Sequence, residues 1–225
     1  RGPGRFEPNT RATVQEIRDG LDATSQNKFP FLKFDIGAVN DAAYMLFSAG
    51  FYYKTFMWPK SFWHRVYEPF IRAAAGLGVS PAEADPDSYA SRYLHCDVLI
   101  VGAGPAGLAA ARAAAVDGLS VVLVDENAEM GGSLLSEPQA EINGQGAWDW
   151  LASEIAELDK QGVKLMTRTT AIGYYHQNMI GMVEKLTDHL SALPADRPRE
   201  RLWRVRAKQV VLAQGALEKP LVFHG

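Results

Sequence analysis

From the N-terminus onward, the pattern of apolar and polar positions changes character three times. Residues 1 to about 40 are polar and broken by Pro and Gly. Within them Thr13-Val-Gln-Glu16 has the form of a capping box, which predicts a short helix starting there and ending at Gly20. Lys28-Phe-Pro-Phe-Leu-Lys-Phe-Asp35 predicts extended chain, because Pro30 biases its neighbour away from helix. Residues 44–70 then crowd together Tyr44, Phe47, Phe51, Tyr52, Tyr53, Phe56, Trp58, Phe62, Trp63, Tyr67 and Phe70, nearly half of the chain's aromatic residues. No single helical or strand period fits all of them. Two readings stand: a small aromatic core under irregular loops, or a surface that packs on another chain. Trp63–Gly76 has helical character, bent or begun near Pro69 and stopped by Gly76 or Gly78.

Val79-Ser-Pro-Ala-Glu-Ala-Asp-Pro-Asp-Ser88 is a Pro- and acid-rich linker, and beyond it the pattern becomes regular. The apolar run Asp97-Val-Leu-Ile-Val101 has strand character and meets Gly102-x-Gly104-x-x-Gly107. An Ala-rich helical run follows, then a second Val-rich strand, Ser120-Val-Val-Leu-Val124, ending on Asp125 and Glu126. Trp150, Leu151, Ile155 and Leu158 recur at helical spacing within Ala147–Leu158. Val163–Met166 and Ala171–Tyr175 predict strands, while Met182–Leu190 fits either a strand or a short helix. Arg204–Ala213 alternates and then becomes continuously apolar, which predicts strand with continuous burial at its end. The expected fold class is therefore α/β: a Rossmann-like βαβ domain over 94–225, incomplete at its C-terminal end, with a mainly irregular, aromatic-rich N-terminal extension over 1–93.

That order of elements carries chemistry. Gly102 permits a tight turn off the strand, Gly104 leaves room for a pyrophosphate to touch backbone, and Gly107 lets the helix pack on the strand. Pro105 suits the first helical turn, where its missing N–H costs nothing, and Ala106 keeps that turn unobstructed. The exposed N–H groups and the positive end of the helix dipole favour phosphate there. Asp125 stands at the distance expected of the acid that binds adenosine ribose hydroxyls, and a carboxylate there repels a 2′-phosphate, favouring NAD or FAD over NADP. Glu126 is the secondary candidate, facing the other way. Gly131-Gly132 is either a second phosphate-side glycine turn or a plain Gly-Gly turn. In Val210-Val-Leu-Ala-Gln-Gly-Ala216, Gly215 can bring backbone close to a nucleotide.

Composition narrows the class. A net charge of −3 over 225 residues gives no reason to expect nucleic acid or an anionic membrane surface. No apolar run approaches the roughly 18 residues that span a bilayer, and no signal peptide opens the chain. The single Cys96 cannot form an internal disulfide or hold a cluster, and its place at the mouth of a buried strand suits an inert packed thiol. A cytoplasmic location follows as the expectation, and both ends read as cut from a longer polypeptide. The five histidines are scattered without i, i+4 pairing, so no metal site is expected. Asp188-His189 and the Arg197-Pro-Arg-Glu-Arg201 run are expected to be surface polar groups.

A longer set of segments is more discriminating than the glycine pattern. Glu7–Thr13, Phe34–Asp41, Ala49–Pro59, Val66–Gly78, His95–Gly102 and Arg168–Tyr175 resemble the alpha subunit of heterotetrameric sarcosine oxidase, within the two-dinucleotide-binding flavoproteins. In that superfamily the Gly131-Gly132 pair lines the pyrophosphate, and a later Ala-Thr-Gly-Ala motif matches 213–216 with Gln214 in place of Thr. The resemblance implies an enzyme that oxidatively demethylates sarcosine to glycine, yielding hydrogen peroxide and formaldehyde or 5,10-methylenetetrahydrofolate. It implies NAD in this subunit at Gly102, Gly104, Gly107 and Asp125, with no amine-oxidising residue here. It further implies FAD and covalent FMN with the beta subunit, tetrahydrofolate farther along the alpha subunit, and beta, gamma and delta subunits as partners. Residues 1–93 then stand as the remainder of a ferredoxin-like segment plus a subunit-packing region. The competing readings are an independent FAD-dependent NAD(P)H oxidoreductase, or a subunit of a related amine or opine dehydrogenase.

Overall fold

The computed structural model describes residues 7–10, 12, 15–39, 45, 58–192, 194 and 196–216. The chain divides into two compact units, Arg1–Pro86 and Asp87–Gly225.

In the first unit, strands β1 (Pro30–Phe31) and β2 (Phe34–Asp35) form a minimal antiparallel hairpin, as the extended pattern requires. The expected helix at the capping box does not form where it can be seen. Thr13 and Val14 lie outside the described residues, and Gln15–Asp19 is not helical. Trp63–Tyr67 winds as a π-helix into helix α1 (Glu68–Ala74), with Pro69 in its first turn and Gly76, at φ +67°, after its end. Tyr44, Phe47, Phe51, Tyr52, Tyr53 and Phe56 lie outside the described residues. Among the described residues of this unit no apolar side chain is buried, and Trp58 is 82% exposed. Polar ties cross it: Gln26 Nε2 donates to Gly76 O, and Asn9 Nδ2 to Leu77 O.

The second unit is built on one six-stranded sheet. Its elements are β3 (Tyr89–Val101), α2 (Pro105–Val116), β4 (Val121–Val124), the hairpin β5 (Glu141–Ile142) and β6 (Gln145–Gly146), and α3 (Ala147–Lys160). After these come β7 (Lys164–Met166), β8 (Thr169–Tyr175), β9 (Met179–Lys185) and β10 (Glu200–Leu212). The strand order is β7-β4-β3-β10-β9-β8. The first four strands run parallel, while β9 and β8 are antiparallel additions. The ambiguous 182–190 segment thus resolves into the end of β9 and a loop.

Each face of the parallel strands has its own cover. Val98, Ile100, Val121 and Leu123 pack under Leu108 and Ala111 of α2 and Leu151 and Leu158 of α3. Small side chains on α2 let it lie close to the sheet. Leu99, Val101, Val122, Val124 and Met166 pack instead against Ile180, Met182, Trp203 and Val205. Continuous apolar strands are what two-sided burial demands, and each fully buried Leu or Val contributes about 1.5–3 kcal/mol. The β8–β10 meander curls back over this second face: β8, at the far end of the strand order from β7, begins with Thr169 N–H donating to Asp125 O at the tip of β4. The expected burial at the end of β10 is not met, with Val211 36% and Leu212 57% exposed. Parallel pairing with β3 continues to Leu212, but pairing with β9 stops at Arg206.

Two charged groups expected at the surface are structural. Arg199 is 6% exposed. Its Nε donates to Asp188 Oδ1 at 2.9 Å and its Nη2 to Asp188 Oδ2 at 3.3 Å, with Asp87 Oδ2 3.6 Å from Nη1. The surface expectation for Arg199 and Asp188 is corrected: the guanidinium joins the start of β3, the end of β9 and the start of β10. Asp97 in β3 likewise accepts from Ser120 N–H and Oγ–H and meets Lys208 Nζ at 2.7 Å. The Lys208 ammonium and the Ser120 donors hold the Asp97 carboxyl down at about 2. Cys96 is buried as expected, and burial, with Asp97 nearby, pushes its thiol up to about 11. It stays a thiol at neutral pH, inert rather than nucleophilic.

Removing the Arg199 side chain leaves two inward carboxylates without their shared cation. Arg199→Ala should cost about 3–5 kcal/mol in urea unfolding, whereas exposed Arg197→Ala should stay within about 0.5 kcal/mol. Asp97, depressed in the folded state, contributes stability above the usual carboxylate range that disappears as pH falls from about 4 towards 2. Asp97→Asn should therefore flatten the acid-unfolding curve across that window, as followed by circular dichroism.

Candidate functional site

At the C-terminal end of the parallel strands the chain turns sharply at Gly102, which has φ +101°. A side chain there would strike the Ala213 carbonyl oxygen, and Gln214 Cα would lie at 3.0 Å. One residue type fits. Gly107, in the first turn of α2, faces the Gly102 carbonyl oxygen with no room for a Cβ. Both demands match the roles expected of the first and third glycines. Gly104 differs: a Cβ there would meet only Gly132 Cα, at 3.9 Å, so its side of the loop opens outward. That is the cradle a phosphate needs, because only a bare backbone leaves its amides approachable.

α2 begins with Gly104 as its N-cap, Pro105 and Ala106 in the first turn, and no side chain capping it. The first intrahelical bond is Leu108 N to Gly104 O. The N–H groups of Ala106 and Gly107 therefore have no intrahelical acceptor and point along the helix axis. Ala106 is exposed, whereas Gly107 is buried.

Gly131-Gly132 lies against the first glycine loop. Gly131 N donates to Ala103 O at 2.8 Å. A Cβ on Gly131 would sit 2.7 Å from Leu151 Cδ2, and one on Gly132 would sit 2.8 Å from Gly104 Cα. Both have positive φ, +138° and +55°. The second glycine pair thus packs directly on the first glycine loop. Gly215, with φ +69° and no described atom within 4 Å of where a Cβ would stand, belongs to the Ala213–Ala216 segment whose beginning backs Gly102.

Asp125 is buried, 8% exposed, and bonded to its own chain through both carboxylate oxygens. Its Oδ2 accepts from Ala103 N–H at 2.7 Å, and its Oδ1 from Asn127 N–H at 2.9 Å and Asn127 Nδ2 at 3.0 Å. Its carbonyl accepts from Thr169 N–H at 2.8 Å. The acid expected to face a ribose therefore also ties the tip of β4 to the glycine loop. Glu126, half-buried, follows it at the same tip. Ala103 and Asn127 were not anticipated as site residues. The signal for Asn127 was present, since Asp-x-Asn is a turn in which the side chain captures backbone two residues on.

Among the described residues no group of three His, Cys, Asp or Glu could hold a metal ion, and no helix is long and apolar enough to cross a membrane.

Comparison with known proteins follows the same lines. Residues 97–205 match the model of the FAD dependent oxidoreductase family. The sarcosine oxidase subunit alpha of Rhizobium meliloti (strain 1021) is 52% identical over 223 residues, 99% of this chain. The chain belongs to the sarcosine oxidase alpha-subunit family. It spans 22% of the length of that relative. The alpha subunit from Corynebacterium sp. (strain P-1) is 47% identical over 66% of this chain and 16% of its own length. Among solved structures, L-proline dehydrogenase from P. horikoshii aligns with 64% of this chain and 27% of its own, at 23% identity and a TM-score of 0.47. Within the alpha-subunit family, then, this segment carries an α/β oxidoreductase fold with its glycine turns assembled at one edge.

The tight packing of the two glycine turns has a measurable cost. Gly132→Ala must move the Gly104 backbone as well as bear positive φ, and should lose about 2–4 kcal/mol in urea unfolding. Gly118→Ala, at φ +71° with nothing within 4 Å, should lose only the strain of about 1–2 kcal/mol.

Proposed function

We propose that this chain is the dinucleotide-binding part of the alpha subunit of a sarcosine oxidase complex, and that the dinucleotide it holds is NAD. The meeting of three backbone features carries this reading: the open side of Gly104, the uncapped start of α2, and the Gly131-Gly132 turn packed against both. Together they fit a diphosphate in charge and in shape. Gly102, Gly104, Pro105, Ala106 and Gly107 would hold the pyrophosphate, with Gly131, Gly132 and Gly215 completing its rim. Asp125, with Glu126 beside it, would serve the adenosine ribose, and that carboxylate disfavours a 2′-phosphate.

NAD, when bound, supplies the capacity to accept or donate a hydride. This chain's residues bind and orient it, and none of them is assigned a catalytic step. In the complete complex the activity is oxidative demethylation of sarcosine to glycine, with hydrogen peroxide and formaldehyde or 5,10-methylenetetrahydrofolate as products. FAD and FMN belong with the beta subunit and tetrahydrofolate with a later part of the alpha subunit. The beta, gamma and delta subunits are the proposed partners. Residues 1–93 are proposed as the extension that packs on them, a reading supported by exposed Phe29, Phe31, Trp58 and Phe70.

A second reading places FAD in this site, and the FAD dependent oxidoreductase family match favours it. The two dinucleotides share their ADP half, so the glycine turns serve either. Acid release of bound ligand from the purified chain, followed by mass spectrometry, separates the readings. NAD in a colourless sample supports the first; stoichiometric FAD in a yellow one replaces it with the second. Recovery of neither, with no binding of either on titration, would remove the dinucleotide site altogether.

A further inference from the structure

The hydrogen bonds around Asp125 leave it less to offer a ligand than a free carboxylate has. An ionised carboxylate presents about four lone-pair positions. Two of them, on Oδ1, are taken by Asn127 N–H and Nδ2, and one, on Oδ2, by Ala103 N–H. About one acceptor position remains, on the oxygen that also touches the glycine loop. The carboxylate cannot rotate to bring Oδ1 forward without breaking both Asn127 bonds. Asn127 is itself fixed, because its carbonyl accepts from Arg168 N–H at 2.8 Å, which joins it to the turn before β8.

The geometry points to Asn127 as a positioning residue that restricts Asp125 to a single ribose hydroxyl. By occupying Oδ1 it turns Oδ2 towards the glycine loop and leaves one acceptor for the sugar. The site then distinguishes the 2′- from the 3′-hydroxyl of the adenosine ribose, instead of gripping both as a bidentate carboxylate does. This inference rests on the proposed dinucleotide site.

The test uses ADP, the half common to NAD and FAD, together with 2′-deoxy-ADP and 3′-deoxy-ADP, titrated into the whole chain by calorimetry. With the wild-type chain, one deoxy form should bind about tenfold more weakly than ADP, and the other should bind within about twofold of it. In Asn127→Leu, which keeps the volume but loses the side-chain donor, the two deoxy forms should converge to within about threefold of each other. Asn127→Ser, whose hydroxyl can still donate to Asp125, should restore the difference.

Equal losses for both deoxy forms, or none for either, in the wild-type chain overturn the inference without any variant needing to fold. A difference that persists unchanged in Asn127→Leu also overturns it, since a structural role alone would weaken all three ligands together. If ADP, NAD and FAD all fail to bind the wild-type chain, the dinucleotide reading itself has failed, a result distinct from either of these.

Discussion

A single hydrogen bond, from Ala103 N–H to Asp125 Oδ2, fixes the relation between the first two strands of the fold at the point where both end. Strand tips are free to splay, because the ladder that aligns them has run out. Here the loop after β3 cannot splay. Gly102 N–H donates to Val124 O, Ala103 N–H to the Asp125 carboxylate, and Ala103 O accepts from Gly131 N–H. Three consecutive peptide groups of a sharp turn thereby find partners on β4 and on the turn that follows it. Leaving such groups buried and unmatched costs more than the bonds return, so the turn has one satisfactory conformation. α2 starts from that turn, and its direction is inherited from it.

The layer on the other face of the sheet serves the same edge. Thr169 N–H donates to Asp125 O, and Arg168 N–H to Asn127 O, so β8 begins by extending the ladder beyond the end of β4. The meander that grows from β8 then covers Leu99, Val122 and Val124. At the opposite edge Arg199 joins Asp87 to Asp188 and sets the starts of β3 and β10 side by side. A buried ion pair of this kind is a poor source of net stability but a strong register mark, because any slip strands a charge. Asp97, Ser120 and Lys208 mark the register again part-way along the strands.

What could be read from the sequence was what is local. The sharp turn at Gly102 and the close approach of Gly107 to it are legible because that part of the constraint lies within a few residues of chain, whereas the backbone of Ala213 behind Gly102 and of Gly132 beside Gly104 is not. β3, α2 and β4 follow because their apolar runs have one period each. The unread parts depend on partners far apart. Arg199 looked like part of a solvated charge run, and only a fold that brings 87 and 188 beside it makes it buried. The second role of Asp125, holding the Ala103 amide, could not be read because nothing in Val124-Asp-Glu126 tells that this amide lies within reach. The capping box at Thr13 shows the reverse: a local signal that no buried face sustains among the described residues, and Gln15–Asp19 is not helical. The continuous apolar end of β10 was expected to be buried because the run itself says so, yet burial needs a neighbour on the far side of the strand, and β9 leaves it at Arg206.

The groups that would meet a dinucleotide here are main-chain amides and bare glycine backbone, with one carboxylate already bound to the loop. Recognition of that kind draws its strength from being set in advance, since no side chain has to be ordered when the ligand arrives. It also ties binding to folding. The loop, the Gly131-Gly132 turn and the Ala213–Ala216 segment come from three parts of the chain and meet only in the folded state, so a ligand held among them stabilises that state by mass action. At a hundredfold excess over its dissociation constant the gain is about 2.7 kcal/mol.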